Sequence, residues 1–100
     1  MACVLIGYDV NKTGQDYTDL IEEIKRISAT RWHCLDSTWI LKTDQSPKAI
    51  RDQLKGHVDD NDELLVIALQ REAAWHGFSD KCSNWLQNNL WPRRRTHRAT

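Results

Sequence analysis

The chain has 100 residues, of which 40% are hydrophobic and 28% are charged, a composition typical of one globular domain. An apolar run of six residues at 64–69 is far too short to cross a membrane. The first residues lack the basic flank of a signal peptide. We therefore expect a single soluble, cytoplasmic domain over residues 1–90.

The net charge of zero hides an uneven distribution. The first ninety residues carry ten basic and fourteen acidic side chains, whereas residues 91–100 carry four arginines and no acid. A net-acidic body is not typical of a protein that binds duplex DNA. We treat residues 91–100 as a basic tail, in which Arg93, Arg94 and Arg95 either bind the phosphates of a nucleic acid or form a solvated chain end.

The three cysteines, Cys3, Cys34 and Cys82, are odd in number and far apart in the sequence. Cys-x-x-Cys pairs, which mark many zinc and redox sites, do not occur. We therefore expect reduced cysteines that pack as small apolar side chains.

The first half of the chain predicts a strand, a helix and a hairpin. Residues 3–10 are apolar and β-prone, and residues 11–16 form a loop. Residues 17–28 are predicted as a helix because Leu20, Ile21, Ile24 and Ile27 fall on one helical face. Residues 31–43 read as a hairpin that turns at Asp36-Ser37.

The second half predicts a helix, a strand and a further helix. Ser46-Pro47 is a typical helix start, and apolar residues continue the helical spacing to Val58. Residues 64–69 read as a buried strand, in which Leu65→Asp is expected to unfold the protein. A helix at 79–90 has one apolar stripe, which packs on the free face of the sheet, on the helical layer or on a second subunit. The stripe consists of Cys82, Trp85, Leu86 and Leu90.

This order of elements predicts an α+β fold, a ferredoxin-like βαββαβ plait with an extra C-terminal helix. In such a plait the first strand lies between the third and fourth strands, antiparallel to both. Asp9, Asp36-Ser37 and Asp62-Glu63 would then lie along one edge of the sheet. Carboxylates there either bind a divalent cation or simply end strands and shape turns. We favour the structural role for Asp36 and Asp62, and leave both roles open for Asp9.

Histidine and tryptophan give weaker signals. The histidines show no metal-ligand spacing, and His33 is interpreted as a residue on a strand face. Trp32, Trp39 and Trp85 are predicted to lie in the core. Trp75 falls in a loop and is the tryptophan most expected to meet a partner.

Four segments together resemble a known superfamily. They are Gly7-Tyr8-Asp9, the hairpin 35–39 (Leu-Asp-Ser-Thr-Trp), the strand start 62–66 (Asp-Glu-Leu-Leu-Val) and the stretch 73–78 (Ala-Ala-Trp-His-Gly-Phe). In order and spacing they resemble the small CRISPR adaptation nucleases and virulence-associated protein D. The closer resemblance is to bacterial proteins of the SinR family within that superfamily.

The resemblance implies a homodimer and a metal-dependent phosphodiester endonuclease. Asp9 matches the aspartate that each subunit contributes to a shared Mg²⁺ or Mn²⁺ ion, and Ser37 matches the motif serine that positions the phosphate. RNA is the favoured substrate because the body is acidic. The alternative is a non-catalytic dimer that binds a nucleic acid or a protein. The chain departs from the pattern at Leu35, where a glutamine is common, and at Thr38, where a bulky valine is usual.

Overall fold

The observed elements follow the predicted order. A computed structural model describes residues 2–10, 17–70 and 72–90. Its elements are β1 Ala2–Asp9, α1 Thr18–Ile27, β2 Arg31–Leu35, β3 Thr38–Thr43, α2 Pro47–Leu54, a 3₁₀ turn Lys55–His57, β4 Glu63–Ala68 and α3 Asp80–Asn89. The predicted α+β class is confirmed. The predicted loop at 11–16 and the basic tail with Arg93, Arg94 and Arg95 lie outside the described residues.

The four strands form one antiparallel sheet in the order β2-β3-β1-β4. β1 is central, and its Val4 pairs with Leu41 of β3 on one side and with Ala68 of β4 on the other. β2 and β4 are therefore the two edge strands. This order places β1 between β3 and β4, as the sequence predicts.

One face of the sheet carries α1 and α2. Alternate strand residues point to that face, where they join apolar residues of both helices in a buried cluster: Val4, Ile6, Trp39, Leu41, Leu20, Ile24, Ile50 and Leu54. Burial of each Leu or Ile side chain stabilises the fold by about 1.5–3 kcal/mol. Removing this face from water is the main favourable contribution to folding.

The second helix is shorter than predicted. Its start is confirmed, since the Ser46 hydroxyl accepts a hydrogen bond from the Ala49 amide at 3.1 Å and Pro47 occupies the first turn. The helix ends at Leu54, however, and not near Val58. Glycine at position 56 disfavours α-helix by about 1 kcal/mol relative to alanine, and the chain tightens there into a 3₁₀ turn. Val58 still packs against the core.

The opposite face of the sheet carries α3. Buried residues of this helix meet buried residues of three strands in a second cluster, which we call the α3 cluster: Cys3, Trp32, Ile40, Leu86 and Leu90. The Trp32 indole N–H also donates to the Cys82 carbonyl at 3.1 Å. Of the three locations open for the apolar stripe, the stripe occupies the free face of the sheet.

The α3 helix leaves part of that face uncovered. Leu65 is 56% exposed, Ile67 is 42% exposed and Leu35 is 49% exposed. The prediction that Leu65 is a buried strand residue is therefore wrong for the single chain. The cause is the position of α3, which packs over β2 and leaves β4 with a packed layer on one face alone. Leu64 and Val66 pack against α1 and α2, whereas Leu65 and Ile67 point away.

The cysteine prediction is wrong at two of three positions. Cys34 of β2 and Cys82 of α3 form a disulfide across 48 residues of sequence, with their Cα atoms 6.4 Å apart. The pair meets because α3 packs over the edge of the sheet at β2. Cys3 is free and buried, as predicted. Among the described residues, no helix is long and apolar enough to span a membrane.

Candidate functional site

Two carboxylates face each other at one end of the sheet. Asp9, the last residue of β1, pairs directly with Glu63, the first residue of β4. Both side chains are exposed. Directly opposed residues of antiparallel strands have Cβ atoms about 4.5–5.5 Å apart, so the two negative charges repel each other unless a cation lies between them.

The hairpin turn adjoins this carboxylate pair. The amide of Tyr8 donates to the carbonyl of Ser37 at 3.1 Å, which ties the turn to the end of β1. Ser37 has a φ of 58°, a left-handed conformation that is uncommon outside glycine. The two-residue turn Asp36-Ser37 requires this conformation. Ser37 and Asp9 thus lie at the same edge, and Asp36 is exposed there too.

Asp62 has a different role from Glu63. Its carboxylate accepts hydrogen bonds from the Tyr17 hydroxyl at 3.1 Å and from the Asp59 amide at 2.8 Å. These bonds hold the loop that leads into β4. The structural interpretation of Asp62 is confirmed, whereas Glu63 is the acidic residue that accompanies Asp9.

The carboxylate pair borders the uncovered sheet face. Side chains alternate along a strand, so Asp9 points to the same side as Cys3 and Leu5, and Glu63 to the same side as Leu65. The pair therefore lies beside the exposed apolar residues and away from α1 and α2. Sequence analysis did not single out Glu63 as the partner of Asp9, although the predicted topology placed it at the same edge.

The donor chemistry at this edge suits Mg²⁺ or Mn²⁺, which prefer carboxylate oxygens. Within the described part of the chain, no group of three or more His, Cys, Asp or Glu side chains comes together to hold a metal ion. Asp9 and Glu63 therefore form a pair of carboxylates without a third acidic, His or Cys neighbour among the described residues.

A second feature, which sequence analysis missed, is a cleft of about 360 Å³ between β2 and α3. The residues that line it are Arg31, Trp32, His33, Cys34, Lys81, Cys82 and Trp85. Three of them are basic residues and none is acidic, and the disulfide forms part of the wall. No local pattern could have revealed the cleft, because its walls are brought together by the packing of α3.

The aromatic predictions are partly confirmed. Trp32 and Trp39 are buried. His33 stacks on Trp39 with ring centroids 3.8 Å apart, and its Nδ1 lies 2.9 Å from the Thr38 carbonyl, which confirms it as a residue on a strand face. Trp75 is partly buried against the α3 cluster, so it is less available to a partner than predicted. Trp85 is half-buried and lines the cleft.

Comparison with models of known protein families gave no match, and comparison with curated proteins gave none either. The site is therefore interpreted from its own geometry.

Proposed function

We propose that the chain is a ferredoxin-like plait that forms a homodimer and acts as a divalent-metal-dependent endonuclease of the kind suggested by its resemblance to the SinR and CRISPR adaptation superfamily. The strand order β2-β3-β1-β4 with two helices on one face supports the plait. The observation that carries the function is the Asp9–Glu63 pair beside an uncovered apolar face.

The dimer is supported by exposed apolar surface. Leu35, Leu65 and Ile67 are large hydrophobic side chains that α3 leaves open to water. Large apolar side chains exposed on one face commonly mark an interface. A second copy seated on this face by a two-fold axis would cover the same residues in both subunits.

The metal site is supported by the position of the carboxylates at the edge of that face. In the proposed dimer, Asp9 of each subunit lies near the interface, and Glu63 beside it adds a further oxygen ligand. A divalent cation held there would polarise the scissile phosphate and acidify the attacking water. The Ser37 hydroxyl, at the same edge, would orient the phosphate by donating a hydrogen bond.

Single-stranded RNA is the proposed substrate. The first ninety residues have four more acidic than basic side chains, so the body lacks the basic face that duplex binding requires. A flexible single strand can approach through few phosphate contacts.

We also propose a cytoplasmic location. Disulfides in that compartment are usually transient, so the Cys34–Cys82 bond would respond to the redox state there.

The test compares wild type with Asp9→Asn and Glu63→Gln on end-labelled single-stranded RNA, single-stranded DNA and duplex DNA. Each reaction contains Mg²⁺, Mn²⁺ or EDTA. We expect wild type to cleave RNA with metal and not with EDTA, and we expect Asp9→Asn to be inactive. Glu22→Gln, which removes an exposed carboxylate on α1, is the matched control and should cleave like wild type.

A measurement independent of activity accompanies this test. A metal ion that binds the folded state and not the unfolded state raises the melting temperature. Mg²⁺ should therefore stabilise wild type and Glu22→Gln, and should leave Asp9→Asn unchanged. Equal cleavage by wild type and Asp9→Asn, or no cleavage and no metal response by either, would overturn the nuclease proposal and favour a non-catalytic binding dimer.

A further inference from the structure

The Cys34–Cys82 disulfide differs from a buried structural disulfide in its setting. Both cysteines are only partly buried, and both line the open cleft between β2 and α3. A small molecule that enters the cleft therefore lies beside both cysteines of the disulfide. Access is the first requirement for thiol–disulfide exchange.

The remaining cysteine does not compete for this bond. Cys3 is 6% exposed, and its thiol lies 3.4 Å from the Asn89 carbonyl. Burial raises the pKa of the Cys3 thiol above its ordinary value, against a smaller opposing effect of Lys42. Since the thiolate is the nucleophile, Cys3 is a poor attacking group at neutral pH. Exchange at Cys34–Cys82 must begin with a thiol from outside.

We propose that the cleft is a thiol-exchange site, in which a small anionic thiol attacks the sulfur of Cys34 and displaces Cys82. This inference does not depend on the endonuclease proposal, because the cleft lies at the β2 edge and shares no residue with the Asp9–Glu63 pair.

The exchange is balanced in atoms and electrons. The incoming thiol loses its proton to solvent, and its thiolate forms a bond to Cys34 Sγ while the Cys34–Cys82 bond breaks. The electron pair of that bond leaves on Cys82 Sγ as a thiolate. A second molecule of the same thiol then attacks the sulfur of the first, which releases the thiol's own disulfide and reduces Cys34. Two external thiols are oxidised as one protein disulfide is reduced.

The direction of attack follows from where the two cysteines lie. Cys82 is in the first turn of α3, after the capping residue Ser79, whose hydroxyl accepts from the Cys82 amide. The positive end of the helix dipole stabilises a thiolate there, so Cys82 is the better leaving group. Cys34 lies on edge strand β2 without such a helix end and is the sulfur that receives the incoming thiol.

The preference for an anion follows from the cleft lining. Lys81 contributes a basic side chain beside Cys82, and the lining contains no carboxylate. Arg31 and His33 reach the other face of the sheet, where Arg31 Nη1 donates to the Ser28 and Lys25 carbonyls at 3.2 and 3.5 Å and His33 stacks on Trp39. Lys81 is exposed in the first turn of α3, next to Cys82. A carboxylate on the incoming thiol is attracted by the Lys81 ammonium group.

The test uses the oxidised full chain and three probes: 3-mercaptopropionate, 2-mercaptoethanol and cysteamine, which are anionic, neutral and cationic. For each thiol, the exchange rate is measured on the folded chain and on the chain unfolded in urea. Dividing the folded rate by the unfolded rate corrects for the intrinsic reactivity of that thiol. We expect this ratio to be about fivefold higher for the anionic than for the cationic probe, as one nearby charge would produce.

A variant and a mapping experiment complete the test. Lys81→Gln should remove most of the charge preference, whereas Lys55→Gln, an exposed lysine near α2, should retain it. When exchange is quenched with iodoacetamide, mass spectrometry should find the probe on Cys34 and the alkyl group on Cys82. The proposal is overturned by a chain that does not form the Cys34–Cys82 bond on oxidation, by equal ratios for the three probes, or by adducts located on Cys82.

Discussion

Leu35 and Leu65 lie in one cross-strand row, although they belong to the two opposite edges of the sheet. Leu35 pairs with Thr38, Thr38 with Gly7, and Gly7 with Leu65. Both leucines are about half exposed, at 49% and 56%. Gly7 has no side chain, so nothing projects from the sheet at that position and a second layer can approach the sheet closely there. The two leucines, together with Ile67, mark the surface that we propose as the dimer interface.

The first prediction concerns Leu65→Asp. Leu65 is exposed in the single chain, so the carboxylate remains hydrated and the monomer should keep its fold. The same carboxylate would be buried without a partner in the proposed dimer, at a cost of several kcal/mol. Circular dichroism should be unchanged, while light scattering should report a monomer. Val66→Asp, one residue along and facing α1 and α2, should unfold the chain.

This comparison separates two explanations of the exposed leucine. If Leu65→Asp remains dimeric, the interface lies elsewhere on the molecule. If each of the two variants, Leu65→Asp and Val66→Asp, unfolds the chain, then Leu65 is covered by another part of the same chain.

The second prediction concerns the disulfide. Closing 48 residues between Cys34 and Cys82 restricts the unfolded chain, and the chain-entropy model gives a stabilisation of about 4 kcal/mol. Replacing both cysteines with serine should lower the free energy of unfolding by about 2–4 kcal/mol in urea titrations. Wild type treated with a dithiol should match the double variant. An unchanged urea midpoint after reduction would show that the bond contributes little.

The elements of the fold could be predicted because their signals are local. The Ser46-Pro47 start, the helical spacing in α1 and the turn at Asp36-Ser37 all depend on residues within a few positions of each other. The burial of Leu65 is not a local property, because it depends on which layer covers its face of β4. An apolar run alone does not distinguish a strand covered on both faces from a strand covered on one face.

The candidate site could be predicted in part for the same reason. Strand order alone brings Asp9 to the edge that Glu63 and Ser37 share, and strand order followed from the sequence of elements. The Cys34–Cys82 bond and the cleft depend on how α3 lies across the sheet. That placement is set by the packing of Leu86 and Leu90 on Trp32, which no spacing in the sequence encodes.

The third prediction concerns acid stability. Gln53 donates to the Glu23 carboxylate at 2.7 Å, and this bond, with smaller contributions from Arg26 and His57 and against a smaller effect of burial, lowers the pKa of Glu23 below its ordinary value. A carboxyl with a lowered folded-state pKa stabilises the fold above its unfolded pKa, and the stabilisation is lost as pH falls through the folded value. Stability should therefore decrease below about pH 4.5.

Glu23→Gln tests this assignment. The variant should be less stable than wild type at neutral pH, and its urea midpoint should fall less steeply on acidification. Glu22→Gln is the matched control, because Glu22 is exposed on the same helix with an ion pair to Lys25 at 3.9 Å. Identical acid profiles for wild type and Glu23→Gln would assign the acid response to other carboxylates.

The fourth prediction concerns the attachment of α3. Leu86 is 4% exposed in the α3 cluster, and Leu86→Ala should reduce the free energy of unfolding by about 2–5 kcal/mol. Trp85 is half-buried at the cleft, so Trp85→Ala should cost less. Urea titration of both variants checks the order. A larger loss for Trp85→Ala would place Trp85 in the core, whereas a variant that melts normally but is monomeric would place it at an interface between subunits.

The fifth prediction separates the two roles of Glu63. In EDTA no metal ion is bound, and the negative charges of Glu63 and Asp9 lie directly opposite each other and repel. Glu63→Gln removes this repulsion and should therefore raise the free energy of unfolding by about 0.2–1 kcal/mol. In Mg²⁺ the sign should reverse, because the variant removes a metal ligand and loses the stabilisation that wild type gains. Melting temperatures in EDTA and in Mg²⁺ measure both effects on the same sample. A stabilised variant under both conditions would show that the Asp9–Glu63 pair is a repulsive contact that does not bind the cation.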